Sequence, residues 1–408
     1  MGFLDTLLGR PTLESVVRDV KRQLRGHAVD GLKVDLSRAE MSFRLNGGEM
    51  RLYLGNLLHD LQRAPRAERP TVLRRFLDGM LAPEAAMPAT YAEARTMLMP
   101  VVRRSGDIGI VSLSTREATA GKAGDAFRPV TKPLVGDLVI ALVCDRPTSM
   151  AYVNEGELPQ WGVSFDAALA DALDNLRGLS EHGGWQQMAD GVWAGEWGDS
   201  YDSSRLLLPD LIHRVGVRDP VAVVPFRNAL MLTSAGNEAG LARMAQVIAE
   251  NLAANQRWLS FQPLRLVEST WEVWQPPVAQ AAWKLLQVRN ESSIYDAQKA
   301  LLDAHHERTG TDIFVATCGA LTWSEAGSGT YGVWADGVDT LLPRTDLIAF
   351  AWQRDDGEKA TVLVPWDDAV RVAGHLMEPT EENPVRWRLR SFPDAAQRET
   401  LAGLALDK

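Results

Sequence analysis

Cysteine is nearly absent from this 408-residue chain, and its two copies, Cys144 and Cys318, lie far apart inside apolar stretches. A secreted scaffold held by disulfides would need more of them, so we expect a reducing cytoplasm and two buried, inert thiols. The sequence also lacks an apolar run long enough to span a bilayer, so we expect no membrane partner. These scarcities predict a cytoplasmic protein.

The usual catalytic and cofactor motifs are missing as well. There is no glycine-rich dinucleotide or phosphate loop, no nucleophile elbow and no zinc-protease helix. The chain has only 7 histidines, and the adjacent pair His305 and His306 diverges by about 100° on a predicted helix, so the two cannot share a metal on one face. We therefore expect no cofactor and no metal, and we lean against an enzyme. A catalytic triad assembled only by folding stays open.

Positive charge is in deficit, since the formal net charge is −10. This balance argues against nucleic acid or an anionic membrane as the main partner, which leaves another protein. One local exception is a run of arginines around a predicted helix, comprising Arg63, Arg66, Arg69, Arg74 and Arg75. Such a run is either a solvated helix face or a docking patch for an acidic partner.

The hydrophobic pattern predicts an α+β fold. Three short alternating segments between residues 32 and 54, with Asn46-Gly47-Gly48 before the last, indicate an antiparallel meander. A strand, a second strand and a helix then follow one another three times, which indicates antiparallel sheets built from recurrent β-β-α units with helices on one face. The three units begin near residues 138, 221 and 347.

Two segments lack this pattern. Residues 105–132 are rich in glycine, serine, threonine and alanine, which predicts a long loop or linker. Pro209 follows the apolar residues 206–208 and should kink or divide the helix expected there.

The most distinctive stretch runs from Trp193 through Trp197 to Arg205, where a strand is expected to turn into a helix. Asp202 is a suitable N-cap for that helix, and in this interpretation the residue is only structural. Alternatively, carboxylates and an arginine meet here and present a ligand site. The predicted binding residues are Trp193, Trp197, Asp199, Tyr201, Asp202 and Arg205.

Several of these segments together resemble the YtpQ-like family of bacterial proteins, a family of unknown function. The resemblance spans residues 1 to about 277, and its most specific part is the Tyr-Asp-x-Ser-Arg core at residues 201–205. The other matching parts are residues 99–103, 133–142, 173–176 and 223–225. The resemblance implies a compact cytosolic protein and brings no catalytic residue with it.

These observations predict three domains: an N-terminal α+β subdomain (1–120), a β-β-α region completing the YtpQ-like part (121–277) and a C-terminal α+β extension (278–408). The function expected is a non-enzymatic protein-interaction or chaperone-like module. The alternative is a hydrolase or metal-dependent enzyme with a site around Asp199, Asp202 and Arg205.

Overall fold

A computed structural model describes residues 11–36, 39–45, 48–81, 87–118, 128–146, 149–253, 258–322, 327–354 and 356–406. The helices of these segments are α1 (Leu13–Leu24), α2 (Leu54–Arg63), α3 (Arg69–Leu81), α4 (Tyr91–Ala94), α5 (Ser105–Ala118), α6 (Glu157–Trp161), α7 (Phe165–Leu179), α8 (Pro209–His213), α9 (Glu238–Asn251), α10 (Gln280–Thr309), α11 (Trp366–Ala373) and α12 (Ala395–Gly403). Short 3₁₀ helices cover Arg95–Met97, Ala189–Gly191, Asp202–Leu207 and Gly374–Leu376.

The strands are β1 (Val29–Asp35), β2 (Glu40–Leu45), β3 (Gly48–Tyr53), β4 (Leu98–Arg104), β5 (Thr131–Val135), β6 (Leu138–Asp145), β7 (Met150–Tyr152), β8 (Trp185–Gln187), β9 (Trp193–Gly195), β10 (Pro220–Phe226), β11 (Met231–Ser234), β12 (Trp258–Val267), β13 (Thr270–Val273), β14 (Phe314–Val315), β15 (Gly319–Thr322), β16 (Ser328–Ala335), β17 (Thr340–Pro343), β18 (Leu347–Gln353), β19 (Lys359–Pro365), β20 (Met377–Pro379) and β21 (Arg386–Leu389). The protein is α+β, as the sequence predicts.

Residues 11–81, which we call the N-terminal module, form the predicted meander with helices packed on one face. The strands pair in the order β1-β2-β3, and Asn46 and Gly47 of the predicted turn lie outside the described residues. Thr12 caps α1, since its hydroxyl accepts a hydrogen bond from the N–H of Ser15 at 3.3 Å. Buried residues of α1, β2 and α2 share one core, including Val20, Phe43 and Leu57.

Residues 87–277, the body, contain two sheets. A six-stranded sheet has the order β13-β12-β10-β11-β9-β8, and a second sheet has the order β4-β6-β5 with β7 beside β6. Two of the predicted β-β-α units lie here, because the hairpins β6-β7 and β10-β11 are each followed by helices. Strand β4 pairs with β6, so this sheet joins segments on both sides of the division predicted at residue 120.

Residues 278–406, the extension, contain two four-stranded sheets in the orders β14-β17-β21-β20 and β15-β16-β18-β19. The hairpin β18-β19 followed by α11 is the third predicted unit. Two pairings in the extension, β14 with β17 and β16 with β18, are parallel. Between β16 and β18 the chain passes through β17, which belongs to the other sheet. Strand β18 therefore runs in the same direction as β16 when the chain returns to the first sheet.

Helix α10 connects the extension to the body. Trp283 and Leu286 are buried in one core with Val223 of β10 and Phe261 of β12. This core crosses the division predicted at residue 277, so the two predicted domains share buried surface.

The prediction of a loop over residues 105–132 is wrong for its first half, where Ser105–Ala118 is helix α5. The glycines that suggested a loop allow this helix to approach the extension closely. A Cβ atom on Gly109 would lie 1.9 Å from the carbonyl oxygen of Asn383, and one on Gly106 would lie 2.8 Å from Ile294. Tight packing, and not a turn, therefore explains them.

Pro209 divides the helix as predicted. The 3₁₀ helix ends at Leu207, and Pro209 is the first residue of α8, a position that needs no backbone N–H.

Candidate functional site

The predicted site centres on an ion pair between Asp199 and Arg205. Nη1 and Nη2 of Arg205 donate to the two carboxylate oxygens of Asp199 at 2.9 and 2.6 Å. Nε donates to the hydroxyl of Ser180 at 2.9 Å, and the guanidinium lies 4.2 Å from the ring centre of Trp197. The side chain of Arg205 is 0% exposed and that of Asp199 is 22% exposed. Each of the three nitrogens of this buried guanidinium therefore donates to an acceptor within the protein.

The local backbone explains how these groups meet. Gly198 has a φ of +70°, a conformation that suits glycine, and it turns the chain between Trp197 and Asp199. Asp199 then accepts the N–H of Tyr201 at 2.9 Å. Burial by itself raises the pKa of Asp199, but the hydrogen bonds from Arg205 and the Tyr201 N–H outweigh it and hold this pKa below its usual range.

The predicted N-cap role of Asp202 is wrong. Tyr201 occupies the N-cap position of the 3₁₀ helix without a side-chain hydrogen bond, and Asp202 is its first residue. The carboxylate of Asp202 instead accepts the N–H of Trp197 at 3.1 Å, closing the preceding turn. Burial, together with the charge of Asp199, raises the pKa of Asp202.

The remaining predicted binding residues lie mainly inside the body. Tyr201 is buried beside Met99 and Leu176, and burial and the nearby Asp145 raise its pKa. Trp193 lies in β9, opposite Leu232 of β11, and is half-buried.

The two serines of the motif hold the segment in place. The hydroxyl of Ser203 donates to the carbonyl of Arg227 at 2.7 Å, and that of Ser204 accepts the N–H of Val102 at 3.2 Å. The Tyr-Asp-x-Ser-Arg core thus ties the 3₁₀ helix to two neighbouring segments.

This arrangement is suited to holding the fold together. A general base or nucleophile must reach a substrate. The side chain of Arg205 is fully enclosed, and both carboxylate oxygens of Asp199 accept hydrogen bonds from it. Within the described ranges, no group of three or more His, Cys, Asp or Glu side chains is arranged to hold a metal ion. In the same residues, no helix combines the length and the apolar character needed to cross a membrane.

An open groove of about 530 Å³ lies beside the ion pair, between the body and the N-terminal module. Of the six predicted binding residues, only Asp202 lines it. Its body wall also includes Glu196 and Asn228, and its other wall includes Arg75 and Phe76 of α3.

A larger cleft, of about 780 Å³, lies within the N-terminal module, and we call it the basic cleft. Four arginines line it, two from α1 and two from the start of α3 and the turn before it: Arg18, Arg22, Arg66 and Arg69. Two acidic residues, Glu14 and Asp19, line it as well, and Asp19 pairs with Arg22 at 3.2 Å. The arginine run of the sequence is therefore split between two surfaces, since Arg75 faces the groove instead.

Sequence reasoning missed Arg18 and Arg22, although their spacing of four residues places them on one face of α1. It also missed Ser180, because no local pattern shows that the end of α7 meets Arg205. Contacts between distant segments are not visible in hydrophobic periodicity.

Comparison with protein-family models, with curated proteins and with solved structures finds no match to this chain. The resemblance to the YtpQ-like family therefore stays a prediction that rests on its matching residues.

Proposed function

We propose that this protein is a non-enzymatic protein-interaction module of the bacterial cytoplasm, and that its basic cleft receives an acidic segment of a partner protein. The observation that carries the proposal is the convergence of four arginines from α1 and α3 on one open cleft. Membership of the YtpQ-like family belongs to the same proposal and is supported by the Tyr-Asp-x-Ser-Arg core.

The distribution of charge supports an acidic partner. Residues 1–81 carry 14 lysines and arginines against 10 aspartates and glutamates, whereas residues 82–408 carry 29 against 43. A positive region on an otherwise negative protein attracts acidic segments of other proteins. Electrostatic complementarity of this kind supplies specificity and a fast association rate.

The geometry supports the enzymatic alternative less well. Asp199 and Arg205 hold each other in a two-pronged ion pair, and Asp202, the only one of the three that lines the groove, accepts the N–H of Trp197 with its Oδ1. The groove beside them is open on one side and walled by Phe76 and Arg75, which suits a chain segment better than a small substrate.

The proposal is tested by charge reversal in the full-length protein. Arg18→Glu with Arg66→Glu reverses two exposed charges of the basic cleft. We expect binding of a labelled poly-glutamate peptide, followed by fluorescence anisotropy, to weaken roughly tenfold and to fall with added salt. Arg214→Glu with Arg371→Glu is the control, since these arginines are 73% and 65% exposed and lie outside the cleft.

Equal weakening in both double variants would show that the peptide senses only overall charge, and the proposal would fail. Tighter binding of an RNA homopolymer than of the peptide would also overturn it, because the partner would then be a nucleic acid.

A further inference from the structure

A second cleft, of about 420 Å³, lies where the body meets helix α10 of the extension, and we call it the α10 cleft. Its volume is in the range of pockets that hold small molecules. The body contributes the end of β4, residues 260–262 of β12 and the turn before β6, while the extension contributes α10 and Arg344. Its polar lining residues include Arg104, Asp137, Ser260, Gln287, Glu291 and Arg344.

Two buried donors of this lining have no hydrogen-bond partner among the described residues. They are Nε of Arg104 and Nε2 of Gln287. Arg104 is more than nine-tenths buried, and its two other nitrogens are engaged, with Asn290 at 2.7 Å and with Asp107 at 2.9 Å. A buried donor without an acceptor costs free energy, and these two donors at one cleft are open to an acceptor that is supplied from outside the chain.

The acidic groups of the cleft do not supply that acceptor. Oδ1 of Asp137 accepts the hydroxyl of Ser260 at 2.9 Å. Oε2 of Glu291 is 3.5 Å from the hydroxyl of Thr330. The guanidinium of Arg344 adds a second positive charge to the lining, and Phe261, Val273 and Ile294 provide an apolar wall.

We propose that the α10 cleft binds a small organic acid. Its carboxylate accepts hydrogen bonds from Arg104 and Gln287, and its apolar part lies against Phe261 and Ile294. The two donors come from different parts of the chain, Arg104 from the body and Gln287 from the extension, so the ligand also joins these two parts. This site is separate from the basic cleft and does not depend on the function proposed for it.

Glu291 gives the binding a pH dependence. It is faced by Lys284 of its own helix, by Asp346 and Arg344 next to β17 and β18, and by Tyr295 and Cys318. Burial, together with the charge of Asp346, raises the pKa of Glu291 to about 7. Below that pH the carboxyl is neutral and does not repel an anion, so we expect tighter binding at pH 6 than at pH 8.

The experiment is calorimetric titration of the full-length protein with succinate, glutamate and inorganic phosphate, and with uncharged succinamide as the matched control. Wild type should bind an organic acid and ignore succinamide. Gln287→Leu removes one of the two donors at nearly constant volume and should weaken binding roughly tenfold. Gln246→Leu, on an exposed face of α9, should bind as wild type does.

Two further variants keep the test decisive if Gln287→Leu fails to fold. Val273 lies at the rim of the cleft and is 48% exposed, so Val273→Trp should block binding without disturbing a core. Val267→Trp is its control, since Val267 is 40% exposed on the neighbouring strand and lies outside the cleft. Glu291→Gln should bind the acid equally at pH 6 and pH 8.

The proposal is overturned if no organic acid binds the wild type, or if phosphate binds more tightly than any of them. It is also overturned if Val273→Trp and Val267→Trp bind alike, because the acid would then bind elsewhere.

Discussion

Arg205 and Arg104 are both buried arginines beside an aspartate, yet their surroundings differ in one respect. Each nitrogen of Arg205 has an acceptor, supplied by Asp199 and Ser180. Arg104 has acceptors for its two terminal nitrogens, whereas its Nε has none among the described residues. The first arginine lies in the predicted site, and the second lies at the end of β4, outside that site.

This difference shows how a structural polar group can be distinguished from one that is available to a ligand. A polar network in which every group has a partner stabilises a single arrangement of the chain and leaves no group to bind a ligand. A buried donor without an acceptor lowers the stability of the folded protein until a ligand binds to it. Keeping such a donor therefore costs free energy. By this criterion the ion pair of Arg205 with Asp199 serves the fold, and the α10 cleft is the place for a small molecule.

The largest expected effect concerns the helix on which the α10 cleft depends. Trp283 is 1% exposed and packs with Phe261 of the body, so Trp283→Ala should lower the free energy of unfolding by about 3–5 kcal/mol. Urea unfolding followed by tryptophan fluorescence and circular dichroism measures it. Leu285→Ala, at a 40% exposed position of the same helix, should cost less than about 0.5 kcal/mol.

The same variant tests the predicted division at residue 277. If residues 278–408 are a separate domain, Trp283→Ala leaves one of two unfolding transitions unchanged. A single transition that moves as a whole would show that the body and the extension unfold together.

The next largest effect is expected when the ion pair of Arg205 with Asp199 is removed. Arg205→Ala removes the partner of a half-buried carboxylate and should cost about 3 kcal/mol in urea unfolding. Arg205→Lys keeps the charge but loses the two-pronged contact with Asp199, so it should recover part of that cost. Arg214→Ala is the control, because its pair with Asp210 is exposed and should contribute at most about 0.5 kcal/mol. Equal effects of Arg205→Ala and Arg214→Ala would contradict the structural role of the ion pair.

The parts of the fold that the sequence predicts are those with local causes. Short apolar runs predict the hairpins β6-β7, β10-β11 and β18-β19, and the ring of Pro209 predicts a break in the helix. The prediction failed where a distant contact changes the meaning of a local signal. In the sequence, Gly106 and Gly109 suggest a loop. In the structure, they lie so close to Ile294 and Asn383 that a larger residue would not fit.

The candidate sites follow the same rule. The sequence brings Asp199, Asp202 and Arg205 to attention because they are close in the chain, but it assigns Asp202 to a cap that it does not form. The α10 cleft combines residues 104, 137, 260, 287 and 344, which are brought together by the pairing of β4 with β6, by the packing of α10 on β12 and by the contact of Arg344 with Tyr295 of α10. No periodic pattern connects them.

A third effect depends on pH. The pKa of Glu291 in the folded protein is about 7, above its ordinary value of 4.5, so the unfolded chain releases this proton first as the pH rises. Stability is therefore lost between about pH 4.5 and pH 7, by about 2–3 kcal/mol for this group. Glu291→Gln should remove that loss, and its stability relative to wild type should increase from pH 5 to pH 8. Urea midpoints at the two pH values check it, and a difference independent of pH would show that Glu291 ionises normally.

The smallest expected effects are changes in stability of opposite sign, one at the Arg205 ion pair and one in the α10 cleft. They provide the sharpest comparison of these two polar networks. Ser180→Ala removes an acceptor of the saturated Arg205, so a buried Nε–H loses its partner and the protein should lose about 1–2 kcal/mol. Gln287→Leu removes a buried donor that has no partner in the described chain, and it should leave stability unchanged or raise it by up to about 1 kcal/mol. Both variants are compared with wild type in urea at pH 7, without added organic acids.

A succinate-dependent rise in the urea midpoint of wild type, absent in Gln287→Leu, would show that the ligand supplies the missing acceptor. If Gln287→Leu destabilises the protein as much as Ser180→Ala does, the amide of Gln287 is satisfied within the chain, and the two networks do not differ in the way proposed here.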